Sequence, residues 1–239
     1  MGKCVKSLGL QCMTKIKAGN YKDVLKPHQI SILQDFFSEP ESAGYFLTGG
    51  TALAGFYLYH RLSKDLDFFN IGSFDTFFIE RFVQKMGEKY GCEVTNKVKA
   101  STYAEYYLKN KSDGWIQRLD FVKEQPVRLG DVCKLDGIIY DSLDNIATNK
   151  ICAIYGRLEP KDYVDLYLIV NELGLDFYEY FDLAKQKDSG LHEFYFANIL
   201  ETVSLKDIRN LLLYNIDEGA MNDFYHNIKV TLLSKIKPQ

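Results

Sequence analysis

Asp65 and Asp67, two residues apart in the apolar run DLDFFN, pose the chemical question of this chain. On a strand, residues i and i+2 point to one side. The two carboxylates would project together, while Leu66 and Phe68 face the opposite way into a core. Side by side the charges repel, and one carboxyl tends to keep its proton. A divalent cation resolves the conflict. Mg²⁺ takes oxygen ligands and typically uses a few carboxylates plus substrate phosphates. Two such ions about 3.5–4 Å apart could activate a hydroxyl and stabilise a leaving pyrophosphate. A third carboxylate on a neighbouring strand is then wanted. Asp120 in RLDFV is the candidate metal ligand, the alternative being a strand acid paired with Arg118 or Lys123.

A glycine corner precedes the aspartates, with thirteen residues between Thr51 and Asp65. Gly49 and Gly50 lack a Cβ and let the backbone approach a ligand closely. The helix that follows would aim its free N–H groups and positive dipole end at the turn, a ready anion site. Thr51 can add a hydroxyl. Triphosphate held at Gly49, Gly50 and Thr51 would lie beside metal held by Asp65, Asp67 and Asp120. Neither half of this signal is specific alone; the combination at this spacing is more telling.

Further along, the helix from Ser142 carries the stripe Leu143, Ala147, Lys150, Ile154. Lys150 stands where an apolar residue is expected, either snorkelling out or reaching into a cleft to meet phosphate or carboxylates. Arg157 lies seven residues on. In the next helix Asp162 shares a face with Leu166, Ile169 and Leu173, and Asp165 is its i+3 neighbour. Both acids have a structural alternative at a helix start, where the dipole favours them. Lys150 could equally tie two halves of the protein together, and Arg61 could pair with a core carboxylate.

The elements that must position these groups follow from periodicity. Helices are expected at Pro27–Phe37, over Thr51–Leu62 and over Asp75–Gly91, the last with Phe77, Phe78, Phe82 and Met86 on one stripe. YFLT and DLDFFN read as strands. Between Cys92 and Tyr140 four β-rich segments alternate with turn residues. From Asp141 the pattern is helical, at 142–157, 161–173, 176–187, 191–202, 205–214 and 218–236. The expected class is α+β: a mixed sheet flanked by helices, then an all-α part. The expected division is residues 1–140 and 141–239, with a cleft between.

The 239 residues are 46% hydrophobic and 26% charged, ordinary for a globular protein, and the net charge of −3 gives no global pull toward nucleic acid. Residues 1–26 hold six lysines against one acid, an RNA-facing arm or a solvated N-terminus. Five scattered cysteines form no C-x-x-C pair, which suggests neither a zinc site nor a disulfide framework and favours a reducing cytoplasm. No apolar run is long enough to span a membrane. The aromatic clusters FYEYFDL and HEFYFANIL could stack on bases but at helical spacing read as core.

Taken together, LTGGT, DLDF and LDF resemble the signature of the nucleotidyltransferase superfamily with the polymerase-β-like fold: an apolar residue before Gly-Gly or Gly-Ser, a D-x-D pair nine to thirteen residues on, then a single later acid. More narrowly, GGTALAGFYLYHRLSKDLDFF and NKICAIYGRLEPKDYVDLYLI resemble the AbiEii/AbiGii toxin family of type IV toxin–antitoxin systems. These blocks, with the Asp120 strand, span residues 45–170. The resemblance implies transfer of a nucleotide from an NTP to an acceptor, dependent on Mg²⁺ or Mn²⁺. In some members, the MenT toxins, the acceptor is tRNA; others are better known for binding GTP. It marks Asp65, Asp67 and Asp120 as metal ligands and Gly49, Gly50, Thr51 and Arg61 as nucleotide contacts. Lys150 would offset phosphate charge, and Asp162 or Asp165 would position or deprotonate the acceptor hydroxyl. It also implies an antitoxin encoded nearby, whose direct binding is not assured. A catalytically silent nucleotide- or RNA-binding protein, or an enzyme modifying a protein or small molecule, are the alternatives. The sequence leaves open the acceptor, the preferred base and the oligomeric state.

Overall fold

The computed structural model describes residues 19–124 and 127–236. The basic-arm lysines Lys3, Lys6, Lys15 and Lys17, and Cys4 and Cys12, lie outside the described residues.

Seven strands form one mixed sheet: β1 (Tyr45–Thr48), β2 (Asp65–Asn70), β3 (Cys92–Lys99), β4 (Tyr103–Asn110), β5 (Ile116–Lys123), β6 (Cys133–Leu135) and β7 (Ile138–Tyr140). Their order is β3-β4-β5-β2-β1-β7-β6. β2 lies at the centre, antiparallel to β1 and parallel to β5. Burial alternates along β2, with Leu66 and Phe68 fully enclosed and Asp65, Asp67 and Phe69 partly open. That alternation is the strand period read from the sequence.

Helices α1 (Tyr21–Val24) and α2 (Pro27–Ser38) precede the sheet, and α4 (Thr76–Tyr90) follows β2. α2 and α4 cover the sheet's apolar face. Phe36 of α2 meets Phe68 at 4.3 Å, Phe82 at 4.9 Å and Phe121 at 5.8 Å between ring centroids. Offset and edge-to-face ring contacts of this kind add to simple burial. Asp75 caps α4 by accepting from the N–H groups of Phe77 and Phe78, and Gly91 ends it at φ +61°. Phe77 departs from the expected stripe: it is 83% exposed, because the first-turn position points away from the sheet that Phe78 and Phe82 face.

The remaining helices are α3 (Gly49–Leu53), α5 (Leu143–Arg157), α6 (Pro160–Leu173), α7 (Phe177–Ala184), α8 (Glu193–Ile199) and α9 (Glu218–Ser234). Three expectations need correction. The helix expected over Thr51–Leu62 passes into a π-helical turn at Ala54–Leu58, and Tyr59 closes it in the left-handed region at φ +52°. His60–Leu62 then runs extended beside Leu211–Leu213, with Arg61 bridging to Leu212. The helix expected at 205–214 is replaced by this pairing and a 3₁₀ turn at Arg209–Leu211. A short leucine run has no periodicity of its own, so tertiary pairing decides its conformation. The last of the four β-rich segments expected between Cys92 and Tyr140, CKLDGIIY, is a hairpin of two short strands rather than one strand.

One continuous buried cluster extends from Tyr21 to Leu232. Among the described residues, no helix is long and apolar enough to cross a membrane.

Candidate active site

A cavity of about 560 Å³ opens between the polar face of the sheet and α5. Its walls include Gly49 and Gly50, the loop Leu62–Lys64, Asp65, Asp67, Phe69, Arg118, Asp120, and Asn149, Lys150 and Arg157 of α5. The backbone explains the assembly. β2 and β5 pair in register with Asp65 opposite Arg118 and Asp67 opposite Asp120. Side chains in register on neighbouring strands share a face. The chain thus brings its three strand aspartates to one hollow although Asp120 is remote in sequence.

Asp67 stands where negative charge is most crowded. Burial, then the nearby Asp120 and Asp65, push its carboxyl up to about 7. Burial also raises Asp120, against the pull of Arg118 and Tyr103. Arg118 grips Asp120 with two contacts, Nε to Oδ1 at 3.1 Å and Nη2 to Oδ2 at 2.9 Å. The Tyr103 hydroxyl donates to the same Oδ1 at 3.0 Å. The aspartates therefore share a cavity, but Asp120 is already paired with Arg118. Among the described residues no three His, Cys, Asp or Glu side chains gather closely enough to hold a metal ion as placed.

The glycines have a more specific reason than close approach to a ligand. Gly49 sits at φ +68°, and a Cβ there would come within 2.5 Å of Asp67 Oδ2. A Cβ at Gly50 would run into the Arg61 guanidinium. The corner is thus shaped around two of the candidate side chains while still lining the cavity. Thr51 differs from expectation: it is fully buried, and its hydroxyl donates to the Asp65 carbonyl oxygen while lying within hydrogen-bond distance of Ser63 Oγ, whose own hydroxyl can donate to it. It secures the entry to β2 rather than reaching into the cavity.

Opposite the aspartates lies a buried ion network. Lys150 Nζ contacts Asp162 Oδ1 at 2.8 Å and Asp165 Oδ2 at 2.6 Å. Arg61 embraces Asp165 through Nε and Nη2 at 2.8 and 2.7 Å. Arg157 does the same to Asp162 at 2.7 and 3.0 Å. Burial works against charge on Asp165, yet Arg61 and Lys150, with hydrogen bonds from Arg61 and His60, hold it well below the usual carboxylate range. Asp162 is lowered against its burial by Lys150 and Arg157. His60 Nε2 lies 2.7 Å from Asp165 Oδ1, and burial lowers its affinity for a proton. The neutral ring therefore donates from Nε2.

Asp162 and Asp165 are fully buried and do not line the cavity. As placed, neither can touch an acceptor hydroxyl. They fix three cations, Lys150, Arg61 and Arg157, and those cations do line it. Three positive charges against two negative leave a cationic shelf facing Asp65, Asp67 and Asp120. Arg157 and Arg118 were not singled out as site residues by sequence reasoning. The signal for Arg157 was its place on the Lys150 face, and for Arg118 its i−2 relation to Asp120.

Comparison with known proteins meets this geometry. Residues 31–234 match the nucleotidyl transferase AbiEii toxin family, type IV toxin–antitoxin system. The chain belongs to that family. The uncharacterized protein aq_aa25 of Aquifex aeolicus is 30% identical over 176 residues, covering 68% of this chain and 75% of its own length. JHP933 from Helicobacter pylori has a similar fold, with a TM-score of 0.57 at 18% identity over 87% of this chain and 90% of its own. MenT4, the nucleotidyltransferase toxin Rv2826c from Mycobacterium tuberculosis, aligns with a TM-score of 0.50 at 10% identity over 88% of this chain and 84% of its own. This AbiEii-family chain is accordingly a nucleotidyltransferase of the toxin class.

Proposed function

We propose that this protein transfers a nucleotide from an NTP to an RNA acceptor such as tRNA, in a reaction that depends on Mg²⁺ or Mn²⁺, and thereby acts as the toxin of a type IV pair. The single observation that carries the reading is the cavity itself: three strand carboxylates on one wall, a glycine corner at its edge and a fixed cationic shelf on the other. Phosphoryl transfer asks a protein mainly for positioning and charge neutralisation, and these walls supply both.

The donor set suits a hard divalent cation, because all three candidates are carboxylates. The elevated proton affinity of Asp67 marks a shortage of positive charge at that point. Asp65 and Asp67 would hold the ion, with Asp120 as a third donor in competition with Arg118. Such an ion would supply charge stabilisation at the phosphates and a more acidic acceptor hydroxyl. The chain's own groups do the rest. The backbone at Gly49 and Gly50 leaves room for triphosphate beside Asp67. Lys150 and Arg157 oppose its charge, and Asp162 and Asp165 keep them from swinging away. Arg61 serves chiefly as the brace behind Gly50.

The test is incubation with each labelled NTP, Mg²⁺ and total tRNA, beside the same protein with EDTA and the Asp65→Asn/Asp67→Asn variant. Label in RNA from the wild type alone is the expected result. No label in any RNA from protein that binds NTP and Mg²⁺ overturns the RNA acceptor; label in a protein or small-molecule fraction redirects it. An antitoxin acting without direct contact would leave the purified protein fully active in this assay.

A further inference from the structure

The cavity also has uncharged lining side chains. Phe69 follows Asp65 and Asp67 on the same face of β2, and Ile146, Asn149, Cys152 and Ala153 of α5 line the same hollow. An aromatic ring from the sheet, and apolar side chains and one amide from α5, are groups that suit a nucleobase better than a phosphate. Asn149 supplies the only side-chain amide among the residues lining this cavity.

The orientation of that amide is fixed from behind. Lys187 Nζ lies 2.6 Å from Asn149 Oδ1 and also donates to Asn145 Oδ1. An ammonium has only donors to offer. The Asn149 atom that meets it must therefore be the carbonyl oxygen, and the alternative flip would set N–H against N–H. Asn149 Nδ2 has no hydrogen-bond partner among the described residues and is not a buried, unsatisfied atom. Lys187 does not line the cavity. With its oxygen engaged by Lys187, the amide has its two N–H groups left to offer a ligand in the cavity.

We infer that Asn149, locked by Lys187, is a specificity determinant of the NTP site and selects a base that turns a carbonyl toward it, as cytosine, uracil and guanine can. Adenine has ring-nitrogen acceptors but no exocyclic carbonyl, and its amine, set where guanine has O6, would meet the amide donor with a donor. This inference rests on the cavity being the NTP site. Lys187 acts through Asn149 as a positioning residue and touches no nucleotide.

The experiment is calorimetric titration of the full chain with CTP, UTP, GTP, ATP and inorganic tripolyphosphate in Mg²⁺. Wild-type protein is expected to bind at least one carbonyl-bearing NTP more tightly than ATP. Asn149→Ala weakens the carbonyl-bearing NTPs by about three- to tenfold, the size of one neutral hydrogen bond, and leaves ATP and tripolyphosphate unchanged. Lys187→Met frees the amide to turn, so the gap between carbonyl-bearing NTPs and ATP narrows while tripolyphosphate binding holds. Unchanged tripolyphosphate affinity shows that each variant keeps its fold. The inference is overturned if Asn149→Ala leaves every nucleotide unaffected, or weakens all four and tripolyphosphate alike. It also falls if wild-type protein binds tripolyphosphate but no nucleotide better than that. Binding of neither ligand would instead remove the NTP-site reading on which it stands.

Discussion

Asp67 and Asp165 are carboxylates of one cavity region with opposite proton affinities, and the difference lies in their neighbours. Asp67 faces Asp65 and Asp120, whereas Asp165 is held by Arg61, Lys150 and His60. The signs of their contributions to stability differ accordingly. An unfolded aspartate titrates near about 4, and Asp67 in the fold titrates at about 7. Its folded value is the higher, so its contribution is favourable below about 4 and is lost as pH rises through 7. Asp67→Asn is therefore expected to remove part of the decline in thermal stability between pH 5 and pH 8 in EDTA, measured by melting. The same variant should lower nucleotide transfer on the order of a hundredfold or more, as a lost metal-site carboxylate does. Unchanged transfer would remove Asp67 from the chemistry. Asp165 has the lower folded value, so its contribution is present above the unfolded value and is lost as pH falls from there through the folded value. Asp165→Asn leaves Arg61 without its buried counter-charge and Lys150 with Asp162 alone, and is expected to destabilise the fold by about 3–5 kcal/mol. Denaturant unfolding at pH 7 checks it.

At the scale of elements, two glycines in helices make opposite predictions. Gly49 opens α3 in the left-handed region with Asp67 against it. Gly49→Ala is expected to destabilise by about 1–3 kcal/mol through backbone strain and contact, and to impair transfer because Asp67 must move. Gly156 near the end of α5 meets no heavy atom within 4 Å at its Cβ position, and its φ is not in the left-handed region. Gly156→Ala should stabilise by about 0.4–1 kcal/mol by restricting the unfolded chain, with transfer unaffected. A melting comparison of the two variants separates conformational cost from site geometry. The elements legible in the sequence were those with a strong period: β2 by alternation, α4 by its Phe78, Phe82 and Met86 stripe, α5 by the stripe from Leu143 through Ile154. The π-turn after α3 and the extended Leu211–Leu213 segment were not legible. Their conformations depend on partners that sit far away in sequence.

At the scale of the whole molecule, the cavity is built by both parts of the chain. The sheet contributes Asp65, Asp67 and Asp120, and α5 contributes Asn149, Lys150 and Arg157. We propose that residues 1–140 and 141–239 are structural halves that need each other, because one buried cluster extends through both. Separate expression of either half should give no cooperative melting transition, and mixing the halves should restore part of it. A sharp transition in the isolated 1–140 fragment would establish an independent domain instead.

The sequence alone determined which residues could do phosphoryl chemistry and which way Asp65 and Asp67 point, because strand alternation and glycine turns are local physics. Tertiary structure alone decided what those residues touch. It made Asp162 and Asp165, candidate acceptor-positioning acids or structural partners by sequence, into buried anchors, committed the Thr51 hydroxyl to the backbone of Asp65, and set Arg118 on Asp120. Such partnerships depend on distances between remote segments and on the desolvation that packing imposes, and neither quantity is carried by spacing along the chain.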